Sequence, residues 1–132
     1  MPIPAPEILV VDDEESVRTL VVRTLEEEQY VVHQARHGLD ALSVLSVAPR
    51  VGLVVSDVFM PEMDGYELGR RLAERWPDLP VLYISGYLHA DELPLEPDGR
   101  PRRFLRKPFR PDELVREVQA IVPVPTPAIP PR

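Results

Sequence analysis

No cysteine occurs among the 132 residues, which excludes disulfides and thiolate-held metals. No apolar run approaches the ~20 residues that cross a bilayer, and the first residues lack the charged-then-apolar pattern of a secretion signal. These absences predict a cytoplasmic protein without membrane contact. Positive charge is short as well: the formal net charge is −7, which disfavours nucleic acid, whose phosphates need a basic face. Lysine is nearly missing. Lys107, directly before Pro108, is the only one, and every other residue among the 15 Lys+Arg is arginine. Arginine presents a planar fork suited to bidentate contacts, whereas lysine places a point charge. A chain that otherwise uses arginine therefore keeps a compact ammonium for one tight site. Histidine is sparse, and His33, His37 and His89 lie on separate elements, as surface or half-buried residues do. No Gly-x-Gly-x-x-Gly follows the first apolar run, which disfavours dinucleotide binding.

What is present is ordinary in bulk. Hydrophobic content of 44% and charged content of 28% suit one globular domain with a real core. Proline is the outlier, at 17 residues. Eight lie at the ends: Pro2, Pro4, Pro6, Pro123, Pro125, Pro127, Pro130 and Pro131. The ends are therefore predicted to be non-helical, extended and linker-like. The domain proper is placed at 7–122, with extensions at 1–6 and 123–132.

Between the ends, short apolar runs alternate with helix-period segments. Strands are predicted at residues 7–11, at Tyr30-Val31-Val32, at 52–56, at 80–84 and around Phe104-Leu105. The first helix is expected to bury Val17, Leu20, Val21, Thr24 and Leu25 on one face. A second carries Ala41, Leu42 and Leu45 and closes before Pro49. A third carries Leu68, Leu72, Ala73 and Trp76 and ends at Pro77. The last starts near Pro111 and buries Leu114, Val118 and Ile121. After Ser85-Gly86, the breakers Pro94, Pro97, Asp98-Gly99 and Pro101 allow only a turn or two of helix. Strands separated by helices imply a parallel sheet covered on both faces.

Asp12, Asp13, Asp57, Ser85 and Lys107 all fall at or just past predicted strand ends, the edge where open parallel sheets bind ligands. Grouped carboxylates need a cation. Hard oxygen donors without cysteine or clustered histidine favour Mg²⁺. A carboxylate can also attack phosphorus, giving an aspartyl phosphate. Such transfer depends on positioning and charge neutralisation, for which a metal, a lysine and a hydroxyl are suited.

The segments VVDDEE (Val10 to Glu15), SDVFMPEMDGYEL (Ser56 to Leu68), ISG (Ile84 to Gly86) and FLRKPF (Phe104 to Phe109) resemble, in order, the receiver domain of bacterial two-component response regulators. The resemblance spans about residues 7–122. It implies a doubly wound, flavodoxin-like α/β fold with five parallel strands in the order 2-1-3-4-5 and, here, a shortened or irregular fourth helix. It implies that Asp57 accepts the phosphoryl group. Asp13 would bind Mg²⁺ directly, Asp12 would be its acidic companion, and the Phe59 carbonyl would complete the protein's share of the metal shell. Ser85 and Lys107 would contact the phosphoryl group, and Ser85 with Phe104 would switch on phosphorylation. The Lys107-Pro108 peptide is expected to be cis, and Gly65 to permit a tight turn. Phe59 and Tyr87 flank the site, and their bulk predicts slow self-dephosphorylation. The implied partner is a sensor histidine kinase or a histidine-phosphotransfer protein, docking at the outer edge of the mostly buried stripe Val17, Leu20 and Val21, with Pro108-Phe109. A weak homodimer is allowed, although the broken fourth helix puts its usual face in doubt. FLRKPF after a short irregular segment is also similar to receivers at the end of hybrid histidine kinases.

Blander readings stand beside these. Asp12-Asp13-Glu14-Glu15 alone reads as an acidic helix start, and Ser85 alone as a turn serine. Phe104 is as readily plain core. Arg100, Arg102, Arg103 and Arg106 read as a solvated basic patch. Two other functions are weighed. One is a pseudo-receiver that binds partners without phosphorylation, against which the full Asp/Asp/Asp/Ser/Lys set argues. The other is an aspartyl phosphatase, which would carry Asp-x-Asp after its first strand, whereas here the two aspartates are adjacent.

Overall fold

In the computed structural model, residues 4–86 and 103–124 are described. Tyr87, His89, the expected short fourth helix, Arg100, Arg102 and most of the proline-rich tail lie outside them. The described elements are β1 (Glu7–Val11), α1 (Glu15–Glu27), β2 (Val31–Ala35), α2 (Gly38–Val47), β3 (Val51–Asp57), α3 (Gly65–Arg75), β4 (Val81–Ser85), β5 (Arg103–Arg106) and α4 (Pro111–Ile121). The strands form one parallel sheet in the order β2-β1-β3-β4-β5, as expected.

Successive strand side chains point to opposite faces, and both faces are apolar. Ile8, Val10, Leu53, Val55, Leu82 and Ile84 face α1 and α4 and pack with Val21, Leu25, Leu114 and Val118. Leu9, Val11, Val54, Val81 and Tyr83 face α2 and α3 and pack with Ala41, Leu45, Leu68 and Leu72. The central strands are buried on both sides, so they read as unbroken apolar runs rather than alternations. β2 is an edge strand, and its polar His33 and Gln34 hid its second half. It runs three residues past the expected Val32 because β1 pairs with it as far as Val11↔Ala35.

Local signals set the helix ends. Asp64 caps α3 by accepting from the Glu67 N–H at 2.8 Å. His37 caps α2 through Nδ1, which accepts from Asp40 N–H at 3.1 Å. Pro111 opens α4. Trp76, expected on the stripe of α3, instead stands just past its end, with the Arg75 guanidinium 4.4 Å over its ring.

The stripe of α1 also needs correction. Leu20, expected in the core, is 52% exposed. The buried face is Arg18, Val21, Val22 and Leu25, with Thr24 at its edge. This i, i+3, i+4, i+7 set is turned from the expected one and begins with a charged residue.

Candidate functional site

The register brings the chemistry to one edge. Val11 lies opposite Ser56, Asp57 opposite Ile84, and Ser85 opposite Arg106. Asp12, Asp57, Ser85 and Lys107 therefore sit side by side at the carboxyl ends of β1, β3, β4 and β5. The chain leaves β1 for β2 on one side and returns to β3 on the other, so the crevice opens at the reversal of strand order.

Ligand atoms of Asp12, Asp13 and Asp57 all lie within 4.8 Å of one another. Lys107 Nζ stands 3.5 Å from Asp12 Oδ2 and 3.6 Å from Asp57 Oδ2. Asp12 is fully buried, yet three of its four polar atoms are engaged. Its N–H donates to Ala35 O at 3.2 Å, its carbonyl accepts from Arg18 Nη1 at 2.9 Å, and its Oδ1 accepts from Glu14 N–H at 2.9 Å. Oδ2 alone has no hydrogen bond. A buried carboxylate oxygen without a donor is costly, and Lys107 offsets only part of that. Three carboxylates, one carrying this oxygen, form an all-oxygen set that fits a hard divalent cation such as Mg²⁺.

Electrostatics agree with that reading. Burial pushes the Asp57 carboxyl above the usual range; Lys107 and the N–H groups of Val58 and Phe59 oppose the shift, and Asp13 adds to it. Burial also raises Asp12, against the Glu14 N–H and Lys107 and with the charges of Asp57 and Asp13. Both groups would be relieved by added positive charge.

The rest of the site is set by close backbone packing. Ser85 is buried, and its carbonyl accepts from Lys107 N–H at 3.0 Å, just before the cis Lys107–Pro108 peptide that the sequence predicts. Gly65 is not a left-handed turn residue; Glu62 has that backbone, at φ 68°. Gly65 instead opens α3 so close to β3 that an added Cβ would lie 2.4 Å from the Asp57 carbonyl oxygen. An open groove surrounds the acidic cluster, lined in part by Val17, Leu20, Phe59, Pro108 and Phe109. Phe59 is 52% exposed. Phe104 is half-buried against the apolar layer on the α2 and α3 side.

Sequence reasoning missed Arg18 and Gln34. Arg18 is 7% exposed, and its Nε donates to Gln34 Oε1 at 3.2 Å. Its place three, four and seven residues before Val21, Val22 and Leu25 was the available signal.

The model of the response regulator receiver domain matches residues 8–119. The chain is 38% identical over 116 residues to the sensor kinase CckA of Brucella abortus, covering 87% of this chain and 12% of that protein. It is 36% identical over 118 residues to the response regulator receiver protein CpdR of the same organism, covering 87% of this chain and 95% of that one. Among solved structures, the chemotaxis protein CheY4 of Vibrio cholerae superposes with a TM-score of 0.79 at 28% identity, over 89% of this chain and 99% of that chain.

Proposed function

Because the chain belongs to the response regulator receiver domain family of two-component systems, we propose that Asp57 accepts a phosphoryl group from a partner's phosphohistidine beside a bound Mg²⁺. Such a domain acts by being modified rather than by turning over a metabolite. The observation that carries the reading is the bridge of Lys107 Nζ to both buried aspartates, at 3.5 and 3.6 Å, where the Asp12 Oδ2 it faces accepts no hydrogen bond. Asp12, Asp13, Asp57 and the Phe59 carbonyl would hold the ion. When bound, Mg²⁺ supplies positive charge against a phosphoryl oxygen.

The chain's own groups do the rest. An Asp57 carboxylate oxygen bonds to phosphorus as the bond from phosphorus to the donor's imidazole nitrogen breaks. That nitrogen keeps the electron pair and takes up a proton. Lys107 faces a second phosphoryl oxygen, and the Ser85 hydroxyl donates to a third. Ser85 moving toward the phosphate would let the half-buried Phe104 ring turn inward, shifting a pre-existing balance on the surface of β5 and α4. The apolar rim of Val17, Leu20, Pro108 and Phe109 suits docking of a histidine kinase or a histidine-phosphotransfer helix bundle. The family match over 8–119 and elements running from Glu7 to Ile121 support a domain at 7–122 with proline-rich extensions. Among the described residues, no helix is long and apolar enough to cross a membrane.

Intact mass after incubation with a small phosphodonor, with and without Mg²⁺, tests this beside Asp57→Asn. A Mg²⁺-dependent gain of one phosphoryl group, absent in the variant, is expected. No gain in folded protein would overturn the reading in favour of a phosphorylation-independent interaction module.

A further inference from the structure

Arg18 is a buried cation that meets a backbone carbonyl through Nη1 and an amide oxygen through Nε. A guanidinium taken out of water is expensive unless its donors are well used. Here they join two structures. Nη1 holds the Asp12 carbonyl at 2.9 Å, and Nε is braced at 3.2 Å by Gln34 on the edge strand β2. The Asp12 carbonyl belongs to the same planar peptide as the Asp13 nitrogen. Pinning that oxygen fixes the plane from which exposed Asp13 projects, while Glu14 N–H fixes Asp12 Oδ1. We propose that Arg18, braced by Gln34, is a positioning residue that aims the Asp12–Asp13 carboxylates at the cation. This rests on the Mg²⁺ reading given above.

The sign of the effect separates position from charge. A cation near three carboxylates repels a metal, so if only its charge mattered, removing it would tighten Mg²⁺ binding. If it positions the loop, removing it weakens binding, and lysine does not rescue, since one ammonium cannot hold both acceptors in the fork's geometry. The test is calorimetric titration of MgCl₂ into the unphosphorylated full chain, with folding checked by urea denaturation. Outer-shell partners typically alter metal affinity about 10-fold or more. Arg18→Met and Arg18→Lys should both weaken Mg²⁺ by that order, and Gln34→Ala by less, since it loosens only the brace. In phosphodonor assays the half-saturating Mg²⁺ should rise while the rate at saturating Mg²⁺ is largely kept. Unchanged or tighter Mg²⁺ binding in the folded variants overturns the proposal. Should Arg18→Met fail to fold, Arg18→Lys and Gln34→Ala decide by the same criterion. An unsubstituted chain that binds no Mg²⁺ overturns the cation site itself, and this inference with it.

Discussion

Asp12 and Asp57 are carboxylates that folding makes harder to ionise, because burial outweighs the help of Lys107 and nearby N–H groups. The stability consequence has the opposite sign from the usual Asp or Glu. When the folded-state pKa is raised, the folded protein holds more protons than the unfolded chain between the ordinary carboxylate range and the raised value. In metal-free buffer their contribution is therefore favourable within and below that window, and is lost as pH climbs through the folded values. Urea denaturation in a chelator across mildly acidic to neutral pH should show this trend, weakened in Asp57→Asn. At neutral pH without metal the variant itself should be more stable than the parent, because it removes a buried charge, and added Mg²⁺ should reverse the ranking. Phe59 belongs to this scale too. It lines the groove beside Asp57, where its ring can screen a phosphoryl group from water. Phe59→Ala should lose its phosphate several-fold faster in a radiolabel or mass time course. Equal or slower loss would refute the screening role.

Elements rather than residues explain two glycines. Gly65→Ala would drive a methyl into the Asp57 carbonyl oxygen at 2.4 Å, so α3 must back away from the end of β3. Overpacking of this kind costs about 1–3 kcal/mol, and here it should also slow phosphorylation, because the backbone of the proposed acceptor is displaced. Gly52, at the register shift where β1 meets β3, has nothing within 4 Å of an added Cβ. Gly52→Ala is the control, expected within ~0.5 kcal/mol of the parent. Denaturant midpoints and phosphorylation rates of the pair check both.

Legibility also divides at the element scale. β1, β3 and β4 were readable because strands buried on both faces are unbroken apolar runs. Asp12 and Asp57 stood out because a carboxylate ends such a run, and Lys107 because it is the chain's only lysine. β2 was read short because an edge strand tolerates His33 and Gln34. The face of α1 was misjudged because Val17, Leu20, Val21 and Leu25 also make an apolar stripe, and only packing shows that Arg18 turns inward while Leu20 turns out. That Gly65 serves close approach depends on where β3 ends relative to α3, which spacing does not encode.

At the scale of the whole molecule, the pole opposite the acidic site is where the two ends of the body are secured. Val31 N–H donates to Pro6 O at 3.0 Å, and the buried Tyr30 hydroxyl donates to Val122 O. Consecutive residues thus hold the segment before β1 and the segment after α4. Tyr30→Phe should cost about 1 kcal/mol in urea denaturation and leave Mg²⁺-dependent phosphorylation unchanged. A loss of phosphorylation in the folded variant would show that the two poles communicate.

That arrangement makes the domain a pluggable cartridge. The chain enters and departs at one socket, on the side away from the chemistry, so neighbouring sequence can be attached there without reshaping the reactive face. A stretch of similar sequence accordingly makes up 95% of one relative and 12% of another.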